Sequence, residues 1–289
     1  MPNPLESRKN ELPTTYFVQD RQSQQELVRL TLQDRLLTTA MGGVLPEQPD
    51  PSSFQRVLDI GSGSGSWVIE AAQTYPAMSL VGIDIGARMV EYARAQAAAQ
   101  KVADRAEFRV MDALRTLDFP DASFDLVNLR LGVSFLRTWD WPRVIGEMLR
   151  VTRSGGLIRL TDQEMLQAAA TPSFRRCNEM FLCAFFRSGH LFTQESTGLT
   201  AHLEPMLKRY GCQLIGTKAY ELTFRSGTPE GQAYCDNMAQ VFKTAYPFLQ
   251  KWGCATTGDD MIYQQALNEM QQPDFDTTWR LLSVWGTRP

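Results

Sequence analysis

The chain has 289 residues, of which 43% are hydrophobic and 10% aromatic, so it can bury a sizeable core and wholesale disorder is not expected. Its formal net charge of −3 speaks against a nucleic-acid groove, which needs clustered Lys and Arg. No apolar run approaches the roughly 18 residues of a membrane span, and the polar N-terminus shows no signal peptide. We therefore predict a cytoplasmic protein with no membrane partner and no nucleic-acid partner.

Residues 1–53 are predicted to form an N-terminal helical cap and a linker. Apolar residues recur at three-, four- and seven-residue steps over residues 20–41, which is typical of an amphipathic helix, and two glycines at 42–43 provide a stop. Residues 46–53 read PEQPDPSS, and the prolines there exclude a regular helix. The linker is thus expected to separate the cap from a second domain over residues 54–289.

Strand and helix signals alternate through the first part of that domain. Short apolar strands are predicted at 56–60, 79–83, 107–111, 124–129 and 157–161, and helices at 66–75, 88–100 and 141–151. Buried strands separated by helices at this spacing imply right-handed crossovers and a parallel sheet that is covered on both faces.

The regular alternation of strand and helix signals ends after Asp162. Further helices are predicted at 172–187, 195–210, 229–251 and 259–271, and two more strands at 213–224 and 279–285. The predicted fold class is α/β, a doubly wound and mostly parallel seven-stranded sheet. A helical insert at about residues 166–211 and the N-terminal helical cap complete the architecture.

A glycine-rich loop follows the first strand, where residues 57–67 read VLDIGSGSGSW. In an open parallel sheet, ligands bind beyond the carboxyl ends of the strands. Glycine permits positive φ and has no β-carbon, so a ligand can lie against main-chain atoms. A tight strand-to-helix connection that binds nothing is the alternative interpretation of the loop.

Three successive strands end in an aspartate at the same edge: Asp59, Asp84 and Asp112. A carboxylate in the second position suits the two hydroxyls of a ribose, although a helix cap or a solvated turn would also place Asp84 there. Asp112 could accept a hydrogen bond from an adenine amino group.

The acidic edge bears on whether the ligand carries phosphate. A pyrophosphate prefers helix N-terminal amides and disfavours nearby carboxylates, and the third glycine of a GxGxxG motif would fall on Ser66. S-adenosyl-L-methionine has a ribose and an adenine, no phosphate, and two cationic groups. It therefore fits this edge better than NAD, which remains the rival cofactor.

Five segments follow one another in order: VLDIGSGSG, VGIDIG, VMDA, FDLVNLRLG and EMLRVTRSGGLIRLTD. The set resembles the motifs of class I S-adenosylmethionine-dependent methyltransferases, whose fold is Rossmann-like. Ser154 stands where that family commonly has proline before two glycines. The resemblance covers residues 54–165 and implies an enzyme that transfers a methyl group from S-adenosyl-L-methionine.

A narrower resemblance involves the N-terminal helix and the loop. RLTLQD at residues 29–34, the two glycines at 42–43 and the tryptophan in GSGSGSW are similar to methyltransferases typified by fungal regulators of secondary metabolism. Asp34 stands where that group often has histidine, so a role of that histidine does not carry over.

The class I resemblance also implies a set of cofactor-binding residues. Asp59, Gly61, Ser62 and Gly63 should line the methionine part, Asp84 and Ile85 the ribose, Asp112 and Ala113 the adenine, and Leu129 and Arg130 the border between the cofactor amino group and the substrate.

The sequence offers fewer candidates for catalytic residues than for cofactor-binding residues. A base is needed only if the methyl acceptor must lose a proton. His190, between two predicted insert helices, and Glu164, just past the fifth strand, are the candidates, although His190 could be a packing histidine and Glu164 could start the next helix. Tyr16 and Phe17 could fold over the cofactor as a lid, or simply pack against the core.

No metal site is predicted. The five cysteines, Cys177, Cys183, Cys212, Cys235 and Cys254, are odd in number, widely spaced and without a CxxC pair, so we expect buried reduced thiols.

The predicted acceptor is a small molecule such as a secondary metabolite. The fourth strand is followed by residues NLRL, without the proline-proline-aromatic segment of enzymes that methylate amino groups of nucleic acids. Phenylalanines in the insert suit an apolar substrate, although an ordinary helix core would explain them as well. A non-catalytic regulator that binds S-adenosylmethionine is the alternative function, with an NAD-dependent oxidoreductase behind it.

Overall fold

The structure of the chain, a computed structural model, describes residues 15–18, 23–169, 171–256 and 258–289. The helices are α1 (Gln24–Met41), α2 (Ser66–Thr74), α3 (Ala87–Ala99), α4 (Trp141–Val151), α5 (Pro172–Arg187), α6 (Thr200–Arg209), α7 (Pro229–Lys251) and α8 (Asp260–Glu269). The strands are β1 (Arg56–Ile60), β2 (Ser79–Asp84), β3 (Ala106–Val110), β4 (Phe124–Arg130), β5 (Thr152–Gln163), β6 (Ala168–Ala169), β7 (Gln213–Arg225) and β8 (Asp276–Thr287).

The strands form one mixed sheet in the order β3-β2-β1-β4-β5-β8-β7. The first five strands are parallel, and β8 runs antiparallel to both β5 and β7. The two-residue β6 pairs with β8 beyond the end of β5. The predicted α/β class, a doubly wound and mostly parallel sheet of seven strands, is confirmed, and β6 adds a short segment to it.

The elements near β8 differ from their predicted bounds. The apolar runs at 157–161 and 279–285 lie inside the longer strands β5 and β8, which pair along seven residues of each. Because β8 is also hydrogen-bonded to β7 along its other edge, the ladders extend these strands past their apolar residues. The helix predicted at 195–210 begins only at Thr200, since Gly198 donates its backbone N–H to the carbonyl of Glu195 in a turn.

The register brings the carboxyl ends of the first four strands to one edge. Ile60 at the end of β1 pairs with Ile83 on β2 and with Leu129 on β4. Asp84 at the end of β2 pairs with Val110 at the end of β3. Side chains that follow these strands therefore meet at one edge of the sheet, as expected for a doubly wound fold.

Helices α1, α5, α7 and α8 form a helical cap. Helix α1 packs against α7, and α5 packs against α8. Apolar side chains of the cap, among them Leu37 and Phe185, belong to the same buried core as Leu129 of the sheet. The cap thus also draws on the helices between β7 and β8. The predicted division after residue 53 and the insert at about 166–211 stay predictions.

Two of the five cysteines form a disulfide: Cys183 on α5 and Cys254 after α7, with Cα atoms 5.9 Å apart. The expectation of reduced thiols was wrong for this pair, because a separation of 71 residues hides the fact that the two segments meet. Cys177, Cys212 and Cys235 are free and buried, as expected. Among the residues that the structure describes, we find no helix with the length and apolarity needed to cross a membrane.

Candidate active site

A deep cavity opens at the carboxyl edge of the sheet, between the sheet and the cap, and encloses about 1830 Å³ of space between atoms, its open mouth included. The loops after β1, β2 and β3 line its sheet side. Residues 15–17, helices α1, α5 and α7, residues 163–167 and Trp279 line its cap side. The cavity therefore lies where ligands bind in doubly wound sheets.

The loop after β1 folds around its glycines. Gly61 and Gly65 adopt φ values of 72° and 77°, in the left-handed region that favours glycine. A β-carbon on Gly61 would lie 2.8 Å from the ring of Phe135, and one on Gly65 would lie 2.7 Å from Ala93 and Phe108. The glycines are therefore required by both backbone conformation and close packing.

Asp84 connects this loop to the one after β2. Its carboxylate accepts hydrogen bonds from the backbone N–H of Gly63 at 3.0 Å and of Gly86 at 2.8 Å. A carboxylate oxygen has two lone-pair sites, so the same group can also receive hydroxyl donors from a ligand in the cavity. Asp84 thus shapes the glycine loop and lines the cavity at the same time.

Asp59 is the most deeply buried carboxylate of the edge, with 5% of its surface exposed. Burial raises its pKa to about 7, the nearby charge of Asp84 adds to the shift, and a hydrogen bond from Asn128 at 2.7 Å opposes it. A cationic ligand favours the ionised form of such a carboxylate. The site is therefore suited to a positive group that binds next to the glycine loop.

A buried network supports Asp59 from behind. Asn128, which donates to Asp59, accepts a hydrogen bond from Arg159 at 2.8 Å. Arg159 forms an ion pair with Glu47 at 2.5 Å, and each side chain is 1% exposed. Burial alone would raise the pKa of Glu47, but the Arg159 guanidinium and a hydrogen bond from Tyr220 hold it below its ordinary value. The linker before β1 is thus attached to the centre of the sheet.

The third acid, Asp112, follows β3 and lines the sheet side of the cavity. Asp112 accepts a hydrogen bond from the backbone N–H of Leu114 at 2.9 Å and lies 3.4 Å from the exposed Arg115. Ile85, Met89 and other apolar residues line the cavity near it. An apolar slot with a carboxylate at its rim suits a flat heterocycle that carries an amino group.

The N-terminal segment 15–18 lies across the loop after β4. Thr15 donates its hydroxyl to the carbonyl of Phe135, and Phe17 donates its N–H to the carbonyl of Ser134. Tyr16 and Phe17 both line the cavity, as a lid would. Phe17 is also packed against the Phe185 ring, as the core-packing alternative expects, and the role of the segment as a lid over a cofactor stays a prediction.

Most of the predicted cofactor residues come together. Asp59, Gly61, Ser62, Gly63, Asp84, Ile85, Asp112, Ala113 and Arg130 all line the cavity. Leu129 does not line it and is fully buried in the core, because successive strand residues point to opposite faces of a sheet. The binding roles of the residues in the lining stay predictions.

The two predicted catalytic residues lie outside the cavity lining. His190 is 1% exposed, its Nδ1 lies 2.7 Å from the Ser188 hydroxyl, and its Nε2 lies 3.3 Å from the Thr15 carbonyl oxygen. Burial lowers its pKa to about 4. Glu164 lines a different cleft, where it accepts a hydrogen bond from Ser196. Neither residue lines the cavity, and the catalytic roles predicted for them stay untested predictions.

Sequence reasoning missed the polar residues of the cap side: Gln33, Gln163, Gln167, Asn178 and Asn237. Asn178 and Asn237 are 4% and 1% exposed, although they lie on helices whose buried faces are mainly apolar. An amide within an apolar helix face is the one signal in the sequence that could have indicated them.

Several buried polar atoms of the lining have no partner within the described residues: Ser62 Oγ, Asp34 Oδ2 and Asn237 Nδ2. Buried polar groups are normally hydrogen-bonded, so such atoms indicate where a ligand makes contacts. No group of three or more His, Cys, Asp or Glu side chains that could hold a metal occurs in the part of the chain that the structure describes.

Comparison with known proteins identifies the relatives of this chain. Residues 57–156 match the model of a family described as a methyltransferase domain. A demethylmenaquinone methyltransferase of Deinococcus radiodurans is 38% identical over 110 residues, which cover 38% of this chain and 44% of that protein. The aklanonic acid methyltransferase DauC of a Streptomyces species is 37% identical over 127 residues, which cover 43% of this chain and 54% of that protein. The matches span about half the length of these curated relatives.

A solved structure resembles the whole chain. Phosphoethanolamine N-methyltransferase 2 of Haemonchus contortus, in complex with S-adenosyl-L-methionine, aligns with a TM-score of 0.56 and 19% identity over 97% of this chain and 61% of that chain. At this identity the likeness concerns the fold alone, which is the Rossmann-like fold of methyltransferases.

Proposed function

We propose that this chain, whose residues 57–156 match the model of a methyltransferase domain, binds S-adenosyl-L-methionine and methylates a small molecule such as a secondary metabolite. The observation that carries the proposal is the row of carboxylates at the cavity: Asp59, Asp84 and Asp112 line it together with the glycine loop. This lining is complementary to a cationic nucleoside without phosphate.

The residues present fit that cofactor. The hydroxyl of Ser62 is buried without a partner among the described residues, and a β-carbon placed on Gly63 would have only Leu30 within 4 Å, so the backbone there is open to a ligand. In the proposal, Asp59 and residues 61–63 hold the methionine part. Asp84 and Ile85 hold the ribose, and Asp112 and Ala113 hold the adenine.

When bound, the sulfonium of S-adenosyl-L-methionine supplies a methyl group that is already activated for an in-line displacement. The chain then has to position the acceptor and exclude water, and positioning alone can lower a barrier by about 7–11 kcal/mol. Residues 15–17 and helices α1, α5 and α7 enclose the cap side for this purpose. The positive φ of Leu131, at 53°, shows that the turn after β4 is held in a rarely used conformation beside Arg130.

Where the methyl acceptor must lose a proton, we assign Asp34 as the base that takes it up. The described residues of the lining include no histidine, lysine or cysteine. Asp34 on α1 forms an ion pair with Arg130 through Oδ1, while Oδ2 is buried without a partner in the described chain. Its carboxylate is the acidic group on the cap side of the cavity, opposite the three carboxylates of the sheet edge.

Calorimetry tests the cofactor. We expect S-adenosylhomocysteine to bind and NAD not to bind, and methyl-labelled S-adenosylmethionine to label a compound in a metabolite extract. Binding without any labelling would favour the non-catalytic regulator. Binding of NAD in place of S-adenosylhomocysteine would overturn the proposal in favour of an oxidoreductase.

Cofactor affinity should depend on pH through Asp59. Its pKa of about 7 in the free protein means that the carboxyl is mostly protonated below that pH and ionised above it. A cation binds the ionised form, so affinity for S-adenosylmethionine should weaken by about tenfold from about pH 8 to about pH 6.

The matched control is Asp59→Asn, which keeps an oxygen to accept from Asn128 but does not titrate. Titrations of both proteins at several pH values should show a sloping profile for the wild type and a flat, weaker one for the variant. Equal slopes would assign the pH dependence to another group.

A cytoplasmic location also remains a prediction. The Cys183–Cys254 disulfide weighs against it, because disulfides are rare in reducing compartments.

A further inference from the structure

Three side-chain amides of the cap side are held by partners that can only donate hydrogen bonds. The indole Nε1–H of Trp279 donates to Gln163 Oε1 at 2.7 Å. The guanidinium of Arg29 donates to Gln33 Oε1 at 2.6 Å and to Asn237 Oδ1 at 3.3 Å. All five residues line the cavity.

These partners decide which way each amide points. Trp and Arg side chains have no acceptor, so the amide oxygen must face them and the NH₂ group must face away. The NH₂ of Asn237 is buried with no partner among the described residues. Each amide is thus oriented with its donor group left for a ligand, and the three come from α1, the end of β5 and α7.

The same contacts leave Arg29 unavailable to an anionic ligand. Its Nε and one terminal nitrogen donate to Glu26 at 2.8 and 2.7 Å, and that nitrogen also donates to the Tyr16 hydroxyl at 3.1 Å. The other terminal nitrogen serves Gln33 and Asn237. Its five N–H groups are therefore all used, and the charge is neutralised by a carboxylate that is itself fully buried.

The remaining charges of the cap side are also paired, since Arg130 forms an ion pair with Asp34. Between these polar groups the described lining is formed by apolar side chains, among them Phe181, Phe185, Met165 and Met238. A charged ligand would lose its hydration here without gaining an opposite charge. An apolar body with oxygen acceptors would satisfy both the amide donors and the apolar walls.

We propose that the cap side binds an uncharged, largely apolar molecule with two or more carbonyl-type oxygens, oriented by hydrogen bonds from Gln33, Gln163 and Asn237. The inference rests on the proposed function, in which this molecule is the methyl acceptor. It names the substrate class: a flat or bulky carbonyl compound, in contrast to a phosphorylated or cationic one.

The test compares three probes on protein saturated with S-adenosylhomocysteine: 2,3-dimethyl-1,4-naphthoquinone, the matching hydrocarbon 2,3-dimethylnaphthalene, and 2-naphthyl phosphate. Quenching of tryptophan fluorescence reports binding, because Trp279 lines the cavity. The dicarbonyl compound should bind about tenfold tighter than the hydrocarbon or the phosphate, from two hydrogen bonds of ordinary strength.

Gln163→Glu then tests the donor itself. The variant still accepts from Trp279 but presents an oxygen where the NH₂ was, so the preference for the dicarbonyl over the hydrocarbon should disappear. Affinity for the hydrocarbon should fall less than affinity for the dicarbonyl compound, because the hydrocarbon makes no hydrogen bond to the amide. Gln250→Glu, at an exposed position of α7, is the matched control and should change nothing.

Equal binding of the dicarbonyl and the hydrocarbon, a preference for the phosphate, or an unchanged preference in Gln163→Glu would overturn the inference. S-adenosylhomocysteine binding would still support the proposed function in that case. If S-adenosylhomocysteine does not bind, the proposed function fails, and the same probe comparison on the protein alone still decides the inference.

Discussion

Replacing Asp84 with alanine is expected to weaken the binding of S-adenosylhomocysteine by about tenfold to a hundredfold. The carboxylate holds the backbone N–H groups of Gly63 and Gly86, and in the proposed function it also receives the ribose hydroxyls. Hydrogen bonds to charged groups contribute about 1.5–3 kcal/mol each, so the net loss of one of them gives about this range. Calorimetric titration of the variant measures it.

Two further variants test whether the loss of affinity in Asp84→Ala is due to the Asp84 carboxylate itself. Asp84→Asn keeps the shape of the side chain and should fall between the wild type and Asp84→Ala. Asp104 lies before β3, and its side chain is 68% exposed. Asp104→Ala removes this carboxylate and should leave the affinity for S-adenosylhomocysteine unchanged. Unchanged affinity in Asp84→Ala, with the thermal transition intact, would remove the assigned ribose contact.

Replacing Glu47 with alanine should lower the free energy of unfolding by about 3–5 kcal/mol. The change would leave the Arg159 charge unpaired at a position that is 1% exposed. An uncompensated buried charge is far more costly than the loss of a surface ion pair. Urea denaturation of the two proteins measures the difference.

The control is Glu221→Ala, which breaks the exposed pair with Arg280 and should cost about 0–1 kcal/mol. The double variant Glu47→Ala, Arg159→Met should recover much of the stability, since the buried charge is then absent. A double variant no more stable than Glu47→Ala would show that lost packing causes the effect. Arg159 also orients Asn128 against Asp59, so Glu47→Ala should weaken the cofactor site as well.

The sheet and the cofactor side of the cavity could be predicted because both depend on local patterns and on a general rule of topology. Short apolar runs and glycine stops identify strands and turns within a few residues of their ends. Parallel strands bring their carboxyl ends to one edge, so acids that end successive strands must meet. Asp59, Asp84 and Asp112 line one cavity for this reason.

Three residues predicted to belong to the site, Leu129, Glu164 and His190, do not line the cavity. Leu129 and Glu164 are each one position from a residue that lines the cavity, Arg130 and Gln163. Adjacent residues of β4 point to opposite faces, so an error of one position moves a side chain from the cavity to the core. Glu164 follows the last residue of β5 and lines another cleft. His190 was placed by proximity in the chain, which carries no information about burial.

The amino-acid sequence by itself determined the α/β class, the succession of strands along the chain and the acidic edge, because each follows from interactions between near neighbours or from the geometry of parallel strands. Only the tertiary structure determined which residues meet on the cap side of the cavity. Arg29 and Asn237 are 208 positions apart and meet only because α1 packs against α7. No periodicity encodes such a contact, and the direction of an amide depends on the donor that packing brings to it.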